Sequence, residues 1–272
     1  MKSLRMSALL IMLVACPILA QQEAGIRPVF QSGEELQYKV KWSFFRLGTV
    51  FIRTQRDTSS VDSALYRVTM NIESNPSLFF VKVHDKNESL ISIADVMSRV
   101  YFGKHCKGDG CNEIHFEYDG VHRRAFYSEK YAEKDKPMCM TIIEDASPYV
   151  DGPSLLFFAR CHSGSGKVLH VPTMNGGVIR NTVLNFTGPL EEVEIGAFDQ
   201  PIRTRKYTGF MDWEGGTSAG LSGEFTGWIS DDEAAIPIQA EMKVILGSVH
   251  LELEKWHREG WVPPTAPVLV KN

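Results

Sequence analysis

Apolar and polar positions alternate along most of this chain. Between Glu35 and Phe44, the apolar Leu36, Tyr38, Val40, Trp42 and Phe44 are interleaved with Gln37, Lys39, Lys41 and Ser43. A period of two puts one face of a strand in a core and the other in water. Leu47–Ile52 follows after a short turn, so these two runs predict a hairpin. The same pattern predicts strands at Leu65–Glu73, Val81–Ile93, Ser98–Phe102, Glu113–Tyr118 and Val121–Tyr127. Asp119-Gly120, between the last two, fits a two-residue turn because glycine accepts the positive φ of a type I′ turn. The second half predicts strands at Lys167–Val171, Val178–Phe186, Glu191–Ile195, Ile202–Phe210 and Glu224–Ser230. Pro237–Leu246 and Val249–Trp256 then predict a closing hairpin across Gly247-Ser248.

Helix is scarce. Asp151-Gly152-Pro153-Ser154 ahead of Leu155, Leu156, Phe157, Phe158, Ala159 and Arg160 reads as a capped helix start, with Gly164 and Gly166 to stop it. A second short turn is expected at Asn75–Phe80. The stretch from Met211 to Gly223 reads as a glycine-rich loop, and the proline-rich tail 261–272 as an extended surface segment. The expected fold class is therefore all-β: a large antiparallel curled sheet or incomplete barrel with one or two short helices.

The first twenty residues change the picture of where the chain works. Lys2 and Arg5 form a positive start, and Ser7–Ala15 is apolar but too short for the roughly 20 residues that span a bilayer. Two readings stand: a signal peptide cleaved after Ala20, or a lipobox Leu13-Val14-Ala15-Cys16 that would place a lipid on Cys16. Pro17 and the apolar Ile18-Leu19-Ala20 favour cleavage, leaving a single β domain over residues 21–260 and the tail. Either way the chain is expected to be exported, to the periplasm or the outer membrane.

Charge narrows the partners. Removing Lys2 and Arg5 from 29 basic residues leaves 27 against 33 acidic ones, a net charge of −6. A nucleic-acid partner is excluded, because its phosphates demand a basic surface. Cysteine usage fits an oxidising compartment: apart from Cys16 there are four, Cys106, Cys111, Cys139 and Cys161. Pairing by sequence neighbourhood gives Cys106–Cys111, closing a hairpin tip, and Cys139–Cys161.

The order of these features resembles a group of exported bacterial proteins, the family catalogued as domain of unknown function 3108. The resemblance rests on Gly33–Val40, Leu47-Gly48, Ser77–Phe80 leading into Val83–Ser89, Asp151–Leu156, and Trp228–Asp232 through Ile236-Pro237 to Gly247. It implies a periplasmic or outer-envelope β protein and brings no catalytic residue with it. The insert Gly103–Asn112 and the segment Tyr131–Pro148 stand outside the usual pattern.

The chemistry-bearing clusters are few. His105, Cys106, Cys111 and His115 have zinc-ligand types, but the cysteine spacing and the compartment favour a disulfide over a metal. Asp231-Asp232 reads as a solvated turn, since adjacent strand residues point to opposite faces. His162–Gly166 matches neither a nucleophile elbow nor a phosphate loop. No catalytic residue, metal or cofactor is expected. An enzyme would need a cleft that gathers distant residues, such as Asp85 or His84 with Asp212. The leading expectation is non-catalytic binding of a lipid or other apolar small molecule in the curled sheet, lined by Leu78, Phe79, Phe80, Leu155, Leu156, Phe157 and Phe158. That reading predicts a continuous apolar cavity beneath the helix. The alternative is a structural or assembly protein that holds an envelope protein partner through a sheet edge or the tail. That reading predicts a filled core and an exposed apolar or unpaired edge.

Overall fold

The structure, a computed structural model, describes residues 28–59, 65–78, 82–107, 110–133, 135–211, 223–244 and 247–265. The first eight strands are β1 (Glu34–Trp42), β2 (Phe45–Arg56), β3 (Leu65–Ser74), β4 (Val83–Ser92), β5 (Ser98–Lys107), β6 (Gly110–Asp119), β7 (Arg124–Lys130) and β8 (Cys139–Ile143). Helix α1 (Gly152–His162) separates them from β9 (Val168–Asn175), β10 (Val178–Asn185), β11 (Leu190–Val193) and β12 (Ile202–Met211). Then follow β13 (Gly223–Ser230), β14 (Pro237–Val244) and β15 (Gly247–His257). All belong to one antiparallel sheet of order β8-β7-β6-β5-β4-β3-β2-β1-β15-β14-β13-β12-β10-β9, with β11 beside β12. The all-β expectation holds, and the curled sheet is not closed into a barrel.

The sheet curls around α1. One face of the strands supplies Leu36, Ile52, Val68, Ile91, Leu184, Ile229, Ile238 and Leu253 to a core that also holds Leu155, Phe157 and Phe158 of the helix. Each fully buried aliphatic or aromatic side chain of this kind contributes about 1.5–3 kcal/mol by leaving water. Phe30 stacks on Phe157 with ring centroids 4.7 Å apart. The two ends of the strip overlap. Met174 of β9 packs into a second cluster with Tyr101, Phe116 and Tyr127 on β5–β7 and with Tyr149, and Ile179 of β10 joins it. Gly177 at the β9–β10 tip has φ +78, and a Cβ there would come within 2.8 Å of the Tyr127 ring. Glycine is thus what lets the inner end of the sheet lie on the outer end. Val150, just before α1, runs parallel to β9 and bridges Thr173.

Several turns differ from expectation. The β6–β7 connection is not a two-residue Asp-Gly turn: Asp119 pairs with Arg124, and Arg123 takes the positive φ of 54°. Asp119 remains in the strand, and its Oδ1 accepts from the amides of Val121 and His122. The β14–β15 pairing joins Val244 to Gly247, two residues earlier than a Gly247-Ser248 turn would place it. The segment Tyr131–Pro148 contains β8, a strand the alternation did not reveal. The tail is docked at its start: Arg203 donates its amide to Pro264 O, and Thr265 bridges Ile202. Phe79 and Phe80, Asp212 and Cys16 lie outside the described residues.

Candidate functional site

Inside the sheet, α1 is pinned at both ends by polar groups. At its start Asp151 caps the helix, with Oδ1 accepting from the Ser154 amide at 2.9 Å and from Ser154 Oγ at 2.8 Å. Its Oδ2 accepts from Ser89 Oγ of β4 at 2.7 Å and Ser98 Oγ of β5 at 2.6 Å. Burial raises the pKa of this carboxyl, and the serine donors only partly offset that. At the other end Arg160 grips Glu34 of β1 bidentately, Nη1–Oε1 at 2.6 Å and Nη2–Oε2 at 2.9 Å. Its Nε donates to Ala235 O and its Nη2 to Ala234 O, both at 3.0 Å. Arg258 reaches Glu34 Oε2 as well, and donates to the carbonyls of Pro28 and Val29. Burial opposes the Arg160 charge, but Glu34 outweighs it and holds its pKa up. Burial and the neighbouring Arg160 lower that of Arg258. These groups hold the helix in place, and every charge in them is spent on a protein partner.

The expected lining residues divide accordingly. Leu155, Phe157 and Phe158 are buried in the main core, with Leu156 packed against it. Leu78 sits in the turn after β3, where its amide donates to Asn75 O. The helix side chains therefore fill the interior of the curl. Open clefts lie at its surface among the described residues. One of about 420 Å³ lies among Pro28, Phe30, Glu233, Arg258 and Trp261, and one of about 260 Å³ among Ser163, Phe186, Leu190 and Arg205.

The cysteines split. Cys106 and Cys111 face each other across β5 and β6 and form a disulfide. The expected Cys139–Cys161 bridge is absent, and both thiols are free. Cys161, on the last turn of α1, belongs to the main core, whereas Cys139 on β8 packs against the second cluster. Burial pushes the Cys161 thiol up to about 12. The zinc-type residues divide in the same way. His105 faces inward to Asp85 at 3.3 Å, while His115 lies 6.1 Å from the ring of Phe102 on the outer face. Among the described residues no group of three or more such side chains is placed to hold a metal ion. His84 and Asp85 are neighbours on β4 and so point to opposite faces. His84 pairs with Glu73 outside, whereas Asp85 joins an inner polar row with His105, Tyr101 and Asn87. Tyr101 Oη lies 2.6 Å from Asn87 Oδ1 and 3.4 Å from His105 Nε2. A Cβ at Gly103 would meet those two atoms at 2.6 and 2.8 Å, so glycine permits the contact. Tyr101 and Asp85 are buried, and burial raises the Tyr101 pKa further.

The accessible chemistry lies outside, on β8. This strand pairs with β7 alone among the described strands, so its other edge carries unpaired backbone amides and carbonyls. Its outward side chains are Met140, 75% exposed, and Ile142, 57% exposed. Ile142 is paired with Phe126 of β7, also exposed, and Met138 precedes the strand. Natural sheets blunt such an edge with lysine, proline or a bulge. Within Cys139–Ile143 there is none of these. Sequence reading missed this strand because Met138–Ile143 does not alternate. Its one signal was the β-branched run Thr141-Ile142-Ile143 bounded by Pro137 and Asp145.

Comparison with known proteins gives family and fold. Residues 37–254 match the family model described as "Protein of unknown function (DUF3108)". No curated protein matches the chain. A solved structure from Brucella abortus, a β-barrel-like protein of domain of unknown function DUF1849, is similar at a TM-score of 0.54 and 8% identity. The match covers 84% of this chain and 98% of that one. At that identity the likeness concerns the fold alone.

Proposed function

The chain belongs to the DUF3108 family, proteins of unknown function, and we propose that it is an exported, non-catalytic envelope protein that binds a protein partner by strand addition to β8. The observation that carries this reading is the unprotected β8 edge with its exposed row of Met140, Ile142 and Phe126. An extended partner segment would take up the free backbone hydrogen bonds of β8, and its alternate side chains would extend the apolar row. The filled interior supports the same choice. A lipid lodged in the curl would have to displace α1, against the Glu34–Arg160 pair at one end and the Asp151 cap at the other.

The test compares the wild-type protein with Met140→Lys/Ile142→Lys, each purified from its own envelope fraction under mild conditions. The expected result is a stoichiometric protein that accompanies the wild type, is lost from the double variant, and slows hydrogen exchange of the β8 amides on rebinding. A stoichiometric lipid in an organic extract of both proteins, with no such partner, would replace this reading by ligand carriage in the curl.

A further inference from the structure

The two edges of the sheet are finished differently. Strand β9, at the inner end, gives its outer edge to the segment before α1: the Val150 amide donates to Pro172 O, and the Met174 amide donates to Val150 O. Strand β8, at the outer end, has no such cover among the described residues. An edge of this kind pairs with any strand that matches it, and every copy of the chain presents the same edge to every other.

That edge matches itself. Antiparallel pairing about a two-fold axis at Thr141 uses all five residues of β8, and a shift of two residues leaves two of the five unpaired. In this register Met140 of each copy faces Ile142 of the other, so the two outward apolar rows merge into one. Thr141 pairs with Tyr127 on the inner face yet is exposed, as are Met140 and Ile142, so the middle of the edge is open from both sides. The flanks are complementary as well. The charged residue nearest β8 on its entry side is Lys136, and on its exit side are Glu144, paired with Arg124, and Asp145. Lys136 lies over the Tyr131 ring, and Asp145 has no cationic partner among the described residues. The axis sets Pro137 of one copy against Asp145 of the other, which brings Lys136 beside that carboxylate.

We propose that two copies of this chain pair through β8 about this axis, so that the edge is covered until a partner strand displaces the second copy. The inference rests on strand addition at β8 and adds what occupies that edge beforehand. A two-fold pairing uses each β8 once, so the assembly closes at two chains instead of growing into a filament. Five residues make a short seam, which keeps the pair reversible.

The experiment uses the protein purified from its envelope fraction with any partner removed. Sedimentation equilibrium compares the wild type with Met140→Lys/Ile142→Lys, in which the axis sets lysine against lysine across the seam. Thr141→Cys and Val121→Cys, both in a Cys139→Ser background, are then oxidised with copper phenanthroline. Thr141 alone faces its own copy, whereas Val121 is 87% exposed but sits in the β6–β7 turn, off the axis. The expected result is a wild-type dimer, self-association weakened about tenfold or more in the lysine variant, and a covalent dimer from Thr141→Cys only. A wild type that stays monomeric, a dimer indifferent to the lysines, or equal crosslinking from Val121→Cys would each overturn self-pairing. A monomeric wild type that still recruits an envelope partner to β8 would overturn self-pairing and leave strand addition standing. Failure of both would remove strand addition as well.

Discussion

The two halves of the curl are built on opposite terms. Around α1 the enclosed charges are satisfied: Glu34 of β1, Arg160 of the helix and its cap Asp151 are buried and hydrogen-bonded. At β5–β8 the strip runs past its own core. It is steadied by a small aromatic cluster and a disulfide, and it ends in an apolar edge open to solvent. The first region can tolerate almost no chemical change, since a buried charge that loses its partner keeps its desolvation cost. The second is held by contacts that are individually modest, and it leaves its outermost strand free to pair. Stability and accessibility have been allotted to different ends of one continuous sheet.

The sharpest way to break this contrast is Glu34→Ala, which leaves two guanidinium groups enclosed without their carboxylate. The expected loss is about 3–5 kcal/mol, read as a fall in the urea midpoint. Asp151→Ala removes a helix cap and orphans the hydroxyls of Ser89 and Ser98, and a loss of about 2–3 kcal/mol is expected from the same measurement. Cys106→Ser/Cys111→Ser acts on the other half. The bridge joins cysteines only five positions apart, so its removal should cost about 2 kcal/mol or less. A larger effect there than at Asp151 would show that the β5–β8 end, not the helix, dominates stability. Met140→Lys/Ile142→Lys should change stability by no more than about 0.5 kcal/mol, because both side chains already face water. The smallest perturbation is a labelling experiment. At pH 8 a thiol reagent should modify Cys139 in the folded protein and leave Cys161 untouched. A thiol raised to about 12 carries almost no thiolate at that pH, and Cys161 should react only after unfolding. Equal rates for the two cysteines would erase the distinction between a sealed and an open region.

Sequence made the architecture legible wherever one face of a strand is buried, because burial is what enforces the period of two. Leu36, Tyr38 and Val40 reveal β1 for that reason, and Asp151 with Pro153 reveals the helix start. The edge strand escaped because Met140 and Ile142 stay in water, so no burial pressure shaped the residues between them. Two turns were misplaced by local chemistry: Asp119 uses its side chain to cap amides, and the β14–β15 register moves its turn to just before Gly247. The Glu34–Arg160 pair was illegible for a different reason, since 126 residues separate its members. The only hint was an arginine flanked by Ala159 and Cys161 inside an otherwise apolar helix. The Cys139–Cys161 expectation failed because closeness in sequence says nothing about which of two cores a thiol joins.

The central seam of the sheet joins β1 to β15, where Trp42 meets Val249 and Glu35 meets His257. The first strand to be made therefore waits for the last. Until the far end of the chain is present, β1 can pair with β2 alone, and the carboxylate of Glu34 lacks Arg258. High contact order of this kind slows folding and prolongs the time during which unpaired edges and apolar faces are exposed. If the chain is exported as proposed, it suffers little from the delay, since a chain threaded across a membrane stays unfolded until translocation ends. The same wiring makes any product cut short before β15 a seamless strip without a centre, marked for proteolysis rather than for partial function.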